Sequence, residues 1–405
     1  MDAEKEFFAC LALRHTPGIG PKTCKAVLHH YPGAYEAVSD AKSWPGLKLA
    51  NRRQAEAVAK GAWRKAAERE YRVARALKLK VLAWSDPRFP QRLKEIPDPP
   101  LALYWSGDLS LLRNPGVAVV GARACTALGL AAVERISADL SRCGVTIISG
   151  LAPGIDRQAH LGGLSGPGST IAVLGAGIDV DYPAQNRDLR EAIEQKGLAL
   201  TEFEPGLRPE AKNFPIRNRI ISGLSYGVLV AQAAQRSGSL ITARLAADQG
   251  REVFALPGPA GEPSFTGCHR LIKEGATLVE SAEDILRALR YEFGLALASP
   301  PRPVPLPAAK PEAPSGPAQR TRSRTPRSEA ARPAAPAPDL SGLSEEERSL
   351  VALLAPGERL HADDIGRRLS WDAGRTGRVL VVLEMRGAVR RLPGMWYALA
   401  GDAAD

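Results

Sequence analysis

Six short apolar runs constrain the fold of this 405-residue chain more than any other feature of its sequence. The runs are VAVV (117–120), TII (146–148), TIAVL (170–174), LALT (198–201), GVLVA (227–231) and EVFAL (252–256). They are almost continuously apolar, which is typical of strands that are covered on both faces, and helical stretches separate them. For residues 78–298 the pattern therefore predicts an α/β domain with a doubly wound, parallel, Rossmann-like sheet.

Glycines and small hydroxyl residues follow almost every one of these runs. The turns are VVGARACT from 119, SGLAPGID from 149, LGAGIDVDYP from 174, QRSGSLITAR from 235 and LPGPAG from 256. Ligands of open parallel sheets bind at the carboxyl ends of the strands, where such turns let backbone N–H groups approach a phosphate closely. Five turns of this kind in one sheet predict a phosphate-lined groove.

The stretch NFPIRNRIISGLS, residues 213–225, adds an aromatic residue and two arginines at the start of an apolar segment. If a helix begins near Pro215, then Phe214, Arg217 and Asn218 share one of its faces. Arg219 would point elsewhere, towards another phosphate or a core carboxylate. An aromatic ring beside guanidinium groups is typical of single-strand binding, because each stacked base contributes about 1–3 kcal/mol. The same ring could equally plug the core beneath a loop.

The charge balance favours a polyanionic partner such as nucleic acid or anionic lipid, although a compositional preference for arginine would produce the same balance. Fifty-four basic against 44 acidic residues give a formal charge of +10 and a pI near 9.5. The five cysteines form no CxxC pair and the six histidines form no HxxxH or HExxH spacing, so the sequence predicts neither a metal site nor a disulfide framework. No apolar run approaches the roughly 20 residues of a membrane span, and the N-terminus has acids where a signal peptide needs positive charge. We expect a cytoplasmic protein without membrane contact.

Residues 1–77 predict a helical domain. Helical periodicity covers 7–13 and 22–30, and a long Arg/Ala-rich helix is predicted after Asn51. TPGIG precedes Lys22 and Lys25, as in a helix-hairpin-helix turn, which binds phosphates through exposed backbone amides without reading sequence. A helical cap that only packs against the sheet domain is an equal alternative.

The C-terminal part of the chain changes in composition. Twelve prolines lie between residues 299 and 339, and such a segment cannot bury a core, so we expect a disordered linker over 299–340. Residues 341–405 predict three helices and a two-stranded wing around PGM, with Arg375 and Arg378 on the third helix. In a winged helix that reads DNA this helix enters the major groove, although winged helices also bind proteins or dimerise.

Six motifs, in this order and spacing, resemble the DNA-processing protein A family, also called DprA or Smf. They are VGARACTALG, SGLAPGIDRQAH, TIAVLGAGIDVDYP, FPIRNRIISGLS, SGSLITARLAADQGREVFALPG and GCHRLIKEGA. The resemblance implies a protein that is not an enzyme and needs no cofactor. Such a protein binds single-stranded DNA, protects it during natural transformation and loads the RecA recombinase for homologous recombination.

The resemblance also implies an architecture and an assembly. An N-terminal SAM or helix-hairpin-helix-like domain and a C-terminal winged helix flank the sheet domain, and two protomers pair through the sheet domain. The outer domains could add contacts to double-stranded DNA. We expect these auxiliary contacts at Lys22, Lys25, Arg375 and Arg378.

The family motifs assign the main nucleic-acid contacts. The phosphate-binding loop matches Gly121 and Arg123, and the FPxRNR signature matches Phe214, Arg217, Asn218 and Arg219. The SGLARGID motif matches Gly150, Gly154 and Asp156, and the SGSLIT turn, a natural anion nest, matches Ser237, Gly238, Ser239 and Thr242.

Three positions depart from the family pattern. Pro153 stands where the family has an arginine, which removes one phosphate partner. Gln232 replaces a glutamate and makes the pocket less anionic, and His269 replaces the asparagine of the GCN motif. Asp156 and His160 have the i, i+4 spacing of an acid/base pair, but no nucleophile or metal spacing accompanies them. We expect a capping carboxylate and a satisfied structural histidine.

Two other functions are compatible with this architecture. A phosphoribohydrolase-like enzyme that processes nucleotides uses a similar sheet, but its PGGxGTxxE signature is missing, and PGPAGEPS at 257 does not supply it. No GxxxxGK[ST] motif is present, which argues against ATP hydrolysis. A double-strand regulator led by the winged helix would leave the groove of the sheet unexplained. Release of a free base from nucleoside monophosphates would favour the enzyme.

Overall fold

A computed structural model describes residues 2–298, 344–354, 359–386, 388–392 and 396–399 of the chain. The chain divides into two units, Met1–Pro307 and Ala308–Asp405, and each has a hydrophobic core of its own. The predicted linker, 299–340, lies outside the described residues. One core runs through the described part of the first unit, so the boundary between residues 77 and 78 stays a prediction, as does the one at 340/341.

Five helices of the first unit precede its sheet in the described residues. They are α1 (Ala3–His15), α2 (Pro21–His30), α3 (Ala34–Ser39), α4 (Arg52–Ala59) and α5 (Arg64–Ala76). The helices predicted over 7–13 and 22–30 are confirmed as α1 and α2. The prediction of one long helix after Asn51 is wrong. The chain turns between α4 and α5 at Gly61, whose φ of +71° is left-handed and favours glycine.

The sheet of the first unit has nine strands in the described residues. They are β1 (Lys80–Ala83), β2 (Ala102–Gly107), β3 (Gly116–Val120), β4 (Thr146–Ser149), β5 (Thr170–Val173), β6 (Leu198–Thr201), β7 (Gly227–Val230), β8 (Glu252–Ala255) and β9 (Thr277–Leu278). The order across the sheet is β1-β2-β6-β5-β4-β3-β7-β8-β9. All neighbours from β6 to β9 pair in parallel, and β1 and β2 add an antiparallel edge.

Helices cover the sheet and connect its strands. They are α6 (Gln91–Glu95), α7 (Ala127–Arg142), α8 (Ile155–Leu164), α9 (Arg187–Lys196), α10 (Asn213–Leu224), α11 (Ser239–Asp248), α12 (Thr266–Lys273) and α13 (Ala282–Phe293). Every residue of β3, β4, β5, β6 and β7 is buried, which explains why these strands are continuous apolar runs rather than alternating ones. The six predicted strands and the doubly wound parallel sheet are confirmed.

The strand order places a ligand crevice beside β3. From β3 the chain builds the sheet outwards through β4, β5 and β6 on one side, and then returns to add β7, β8 and β9 on the other. The helices that follow β3 and β7 therefore leave the sheet in opposite directions. A crevice opens between them at the carboxyl ends of the two strands, which is where open α/β sheets bind ligands.

The N-terminal helices are joined to the sheet by a buried polar network as well as by apolar packing. The rings of Phe7 in α1 and Tyr104 in β2 meet edge to face, with centroids 5.9 Å apart. Glu70 of α5 accepts hydrogen bonds from Arg14 Nη1 at 2.7 Å and from the Tyr104 hydroxyl at 2.6 Å. His15 Nε2 lies 2.6 Å from the other carboxylate oxygen of Glu70. These partners compensate the burial of the Glu70 carboxylate and fix the helices against the sheet.

The second unit is a small helical domain with a three-stranded sheet. Its described elements are α14 (Glu345–Leu353), β10 (Leu360–His361), α15 (Ala362–Leu369), α16 (Ala373–Met385), β11 (Val389–Leu392) and β12 (Trp396–Leu399). The antiparallel pair β11 and β12 is the predicted wing, and β10 pairs with β12 on its other side. The PGM turn, 393–395, lies outside the described residues. Within the described parts of both units, no helix has the length and hydropathy that a bilayer span would need.

Candidate nucleic-acid interface

A pocket of about 290 Å³ opens at the carboxyl ends of β3 and β7, in the predicted crevice. Its walls come from the turns after β3, β4 and β7 and from the first turns of α10 and α11. Ten of the thirteen main contacts predicted from the sequence line it. They are Gly121, Arg123, Asp156, Phe214, Arg217, Asn218, Ser237, Gly238, Ser239 and Thr242.

The guanidinium of Arg217 forms the floor of this pocket. The residue is only 5% exposed, and its Nη1 donates to the Val173 carbonyl oxygen at 2.9 Å. A Cβ on Gly150 would overlap this guanidinium, so only glycine lets the turn after β4 pass beneath it. Burial lowers the pKa of Arg217 to about 10, with Asp156 opposing the shift, so the side chain stays charged at neutral pH. Its Nε has no hydrogen-bond partner among the described residues.

Asp156 and His160 on α8 support this floor instead of forming an acid/base pair. Asp156 accepts from the Gly150 N–H at 3.1 Å, and its pKa is raised by burial and lowered in part by Arg217. The prediction of a capping carboxylate is wrong, because the N-cap of α8 is Gly154 and Asp156 accepts instead from the Gly150 N–H, which lies before the helix.

His160 is the satisfied structural histidine that the sequence predicts. Leu151 N–H points at His160 Nε2 from 3.3 Å, which makes Nε2 the acceptor. Nδ1 therefore donates to Thr170 Oγ1 at 2.7 Å, and that hydroxyl donates to the Ile147 carbonyl oxygen at 2.7 Å. Burial lowers the pKa of His160 to about 3, so the ring is neutral at physiological pH.

Phe214 offers a half-buried ring that lines the pocket. One side of the ring lies against Gly175, where a Cβ would approach two ring carbons to 2.9 Å. The guanidinium carbons of Arg123 and Arg217 lie 5.6 and 6.0 Å from the ring centroid. The ring is therefore neither sunk in the core nor isolated from cations, which is the arrangement that base stacking beside phosphates requires.

The turn before α11 supplies hydroxyl groups to the pocket lining. Ser237 Oγ and Ser239 Oγ are 2.7 Å apart, and Ser239 N–H points at Ser237 Oγ from 3.4 Å. Helix α11 begins after Gly238, which has no side chain to cap it. The N–H groups of Leu240 and Ile241 donate to the carbonyl oxygens of Ser237 and Gly238. The serine hydroxyls and the positive end of the helix dipole are therefore what this turn offers to an anion.

Gly154 belongs to the support of the pocket rather than to its wall. Its φ is +83°, and a Cβ there would lie 2.5 Å from the carbonyl oxygens of Ala122 and Arg123. The turns after β3 and β4 thus touch backbone to backbone. Pro153, the departure from the family arginine, is half-buried beside this contact and brings no charge to it.

Three predicted contacts already have partners elsewhere. Arg219, 11% exposed, pairs with Glu202 at 2.7 Å and with Asp98 at 3.0 Å. Of its two predicted partners, a phosphate or a core carboxylate, it therefore contacts carboxylates, and it lies outside the pocket lining. Lys25 donates to the carbonyl oxygens of Glu95 and Ile96 at 2.7 and 3.0 Å.

In the second unit, Arg375 is likewise engaged. It pairs with Glu346 at 2.5 Å and lies over the Trp371 ring, 4.9 Å from its centroid. Lys22 and Arg378 are exposed and stay predicted auxiliary contacts.

Two residues that the sequence did not assign belong to the same surface. The Tyr182 ring is 39% exposed, with its centroid 5.9 Å from that of Phe214 and its plane tilted by 40°. Ile241 of α11 adds an exposed apolar side chain to the pocket wall. Tyr182 lies in a glycine-rich turn after a strand, which was a usable signal, but only the fold brings it beside Phe214.

Comparison with known proteins identifies, over most of the first unit, the same family that the sequence motifs resemble. Residues 80–290 match the family described as DNA recombination-mediator protein A, and residues 331–395 match the DprA winged helix domain. The X-ray structure of DNA processing protein A from Streptococcus pneumoniae is similar with a TM-score of 0.60 at 36% identity. That similarity covers 69% of this chain and 97% of the other.

Two curated relatives show how much of the chain is shared. DNA processing protein DprA from Streptococcus pneumoniae is 48% identical over 208 residues, which cover 51% of this chain and 73% of that protein. Protein Smf from Escherichia coli is 50% identical over 208 residues, which cover 51% of this chain and 55% of that protein. The chain thus spans little more than half the length of the second relative.

Proposed function

Because this chain belongs to the DNA recombination-mediator protein A family, we propose that its pocket binds single-stranded DNA without reading the base sequence. The neighbourhood of Phe214 carries the proposal. A half-buried aromatic ring lies within about 6 Å of two guanidinium groups, and the hydroxyl-rich turn before α11 lines the same pocket. Bases would stack on the ring while phosphates approach the arginines and the serine hydroxyls.

The charges of the pocket favour an anionic ligand over a neutral one. Arg217 is charged and buried at the floor, and Asp156, the one carboxylate among the lining residues, is itself buried with a raised pKa. Arg123 is exposed at the rim. A phosphate placed between these arginines would interact in a partly desolvated site, where charge-assisted hydrogen bonds are stronger than at an open surface.

The finer role rests on the family. In this proposal the protein protects incoming single strands during natural transformation and transfers them to RecA in the cytoplasm. Two protomers would pair through the sheet domain and extend the basic surface. The protein acts by binding and not by catalysis, and the winged helix adds auxiliary contacts to DNA.

Replacing Phe214 tests the stacking contact directly. Phe214→Ala should weaken the affinity for oligo-dT by about 1–3 kcal/mol, roughly five- to 150-fold, because a base loses its stacking surface. Phe214→Trp keeps an aromatic surface and should stay close to the parent protein. The measurement is fluorescence anisotropy at fixed salt, with thermal melting as the check on folding.

Tyr291→Ala is the matched control, since Tyr291 on α13 is 86% exposed and lies outside the pocket lining. It should bind oligo-dT like the parent protein. An unchanged affinity of a folded Phe214→Ala variant would remove the stacking proposal.

A further inference from the structure

Gln232 lies behind the pocket and joins the two ends of the turn that carries Arg123. It follows β7 by two residues, and its side chain is fully buried. Its backbone carbonyl oxygen accepts from Ala122 N–H at 2.8 Å, at the start of turn 121–126. Its side-chain Oε1 accepts from Thr126 N–H at 3.1 Å, at the end of the same turn. One residue thus fixes both ends of a turn whose middle faces the ligand.

The other end of the Gln232 amide contacts a separate segment. Nε2 donates to Ser264 Oγ at 2.7 Å, and the Ser264 hydroxyl donates to Glu262 Oε1 at 2.9 Å. The orientation of the amide is determined by its partners, because Thr126 N–H can only donate and must face the oxygen. The hydrogen bonds therefore run in one direction, from the amide through the hydroxyl to the carboxylate.

This direction depends on residue 232 being an amide. A glutamate at 232 could still accept from Thr126, but it could not donate to Ser264. Two carboxylates, at 232 and 262, would then compete for the single hydroxyl hydrogen of Ser264. The carboxylate at 232 would be buried. In this chain the carboxylate of this set is Glu262, which is one hydroxyl group away from residue 232 and closer to solvent.

We propose that Gln232 is a positioning residue for the phosphate-binding turn 121–126, and that its amide and the Glu262 carboxylate work as a matched pair connected by Ser264. Gln232 does not line the pocket, so it acts through the placement of Arg123 and of the N–H groups of the turn. The inference rests on the proposed binding of single-stranded DNA. It adds a determinant of that binding outside the pocket.

The pair can be tested by moving the carboxylate. Gln232→Glu should weaken oligo-dT binding about tenfold, the effect of losing one hydrogen bond and leaving a buried group poorly paired. The double variant Gln232→Glu/Glu262→Gln places an amide at 262 that can donate to Ser264, which can then donate to Glu at 232. This reversed direction restores the hydrogen bonds from residue 232 through Ser264 to residue 262 and gives up only the 3.4 Å contact of the Ser264 N–H with the side chain at 262. The affinity should therefore return to within about threefold of the parent protein.

Gln158→Glu is the matched control. Gln158 Nε2 on α8 donates to Glu134 Oε2 at 2.7 Å, so the exchange also sets a carboxylate against a carboxylate, but away from the pocket lining. It should leave oligo-dT affinity within about twofold. Titrations of the full-length variants with oligo-dT, and a thermal melt of each, complete the set.

The outcomes separate the two proposals. Weak binding or weak folding of Gln232→Glu that the double variant reverses supports the matched pair. Parental affinity of Gln232→Glu, or a double variant as weak as the single one, overturns it. A parent protein that does not bind oligo-dT refutes the proposed function itself, whatever the variants do.

Discussion

At the residue scale, two arginines that the sequence assigns to the same ligand have opposite surroundings. Arg123 is exposed at the rim of the pocket, whereas Arg219 is buried between Glu202 and Asp98. Their chemistry is identical in the sequence, and only the neighbours that the fold brings decide which one can meet a phosphate. The motif placed both arginines near one pocket, but it could not tell a pocket-lining side chain from a structural ion pair.

These surroundings predict different effects of the same substitution. Arg123→Ala should reduce the slope of log affinity against log salt by about 0.7, the value for one fewer neutralised phosphate on a single strand, with little change in melting temperature. Arg219→Ala should leave that slope unchanged and lower the melting temperature, because the half-buried Glu202 carboxylate loses its partner. If Arg123→Ala and the parent protein have equal slopes of log affinity against log salt, then Arg123 does not contact a phosphate.

His160 predicts a pH dependence of stability. Its pKa is about 3 in the folded protein and near 6.5 when unfolded, so unfolding takes up a proton between these values. Stability must therefore fall as the pH falls through this window, by about 2 kcal/mol between pH 6.5 and 5. Asp156 acts in the opposite sense, because its raised pKa lets the folded state bind a proton first.

Comparing the parent protein with His160→Gln isolates this contribution. The parent should lose more stability than the variant when melting is followed from pH 7 to pH 5. A variant with the same pH dependence as the parent would mean that His160 titrates normally in the folded state.

At the element scale, the sequence predicts a strand well where both its faces are covered. The runs at β3, β4 and β7 are continuously apolar because helices lie on both sides of them. The edge strands β1 and β9 were missed because they lack this double cover. Strand β9 is exposed, and β1 has a mixed burial pattern and follows a helix without a clear turn. The break at Gly61 was missed because an Arg/Ala-rich segment has high helix propensity on either side of it.

The turns that follow the strands have glycines for different physical reasons. Gly150 has no room for a Cβ because Arg217 lies against it, whereas a Cβ on Gly238 would meet no atom within 4 Å. Gly150→Ala should displace the pocket floor, lowering both melting temperature and oligo-dT affinity. Gly238→Ala should fold like the parent protein. Thermal melts and titrations of the two variants check this, and a fully stable, fully binding Gly150→Ala would contradict the close packing.

At the scale of the whole molecule, the chain combines two units with separate cores. The proposed stacking ring, the arginines of the pocket and the matched pair at Gln232 all lie in the first unit. The preference for unpaired strands should therefore belong to that unit, and the second unit should only add affinity. Composition and periodicity predict neither the separate roles of the two units nor the pairing of protomers. Both depend on which surfaces contact each other, and a single sequence does not specify those contacts.

The most direct test of the central claim is a competition between single-stranded and double-stranded oligonucleotides across a range of salt concentrations. It compares the full-length protein with a fragment ending at Ala298. We predict that unpaired oligomers displace duplex from both proteins, with a clear salt dependence that Arg123→Ala reduces. If duplex outcompetes single strands for the fragment, the pocket beside Phe214 is not a site for unpaired bases.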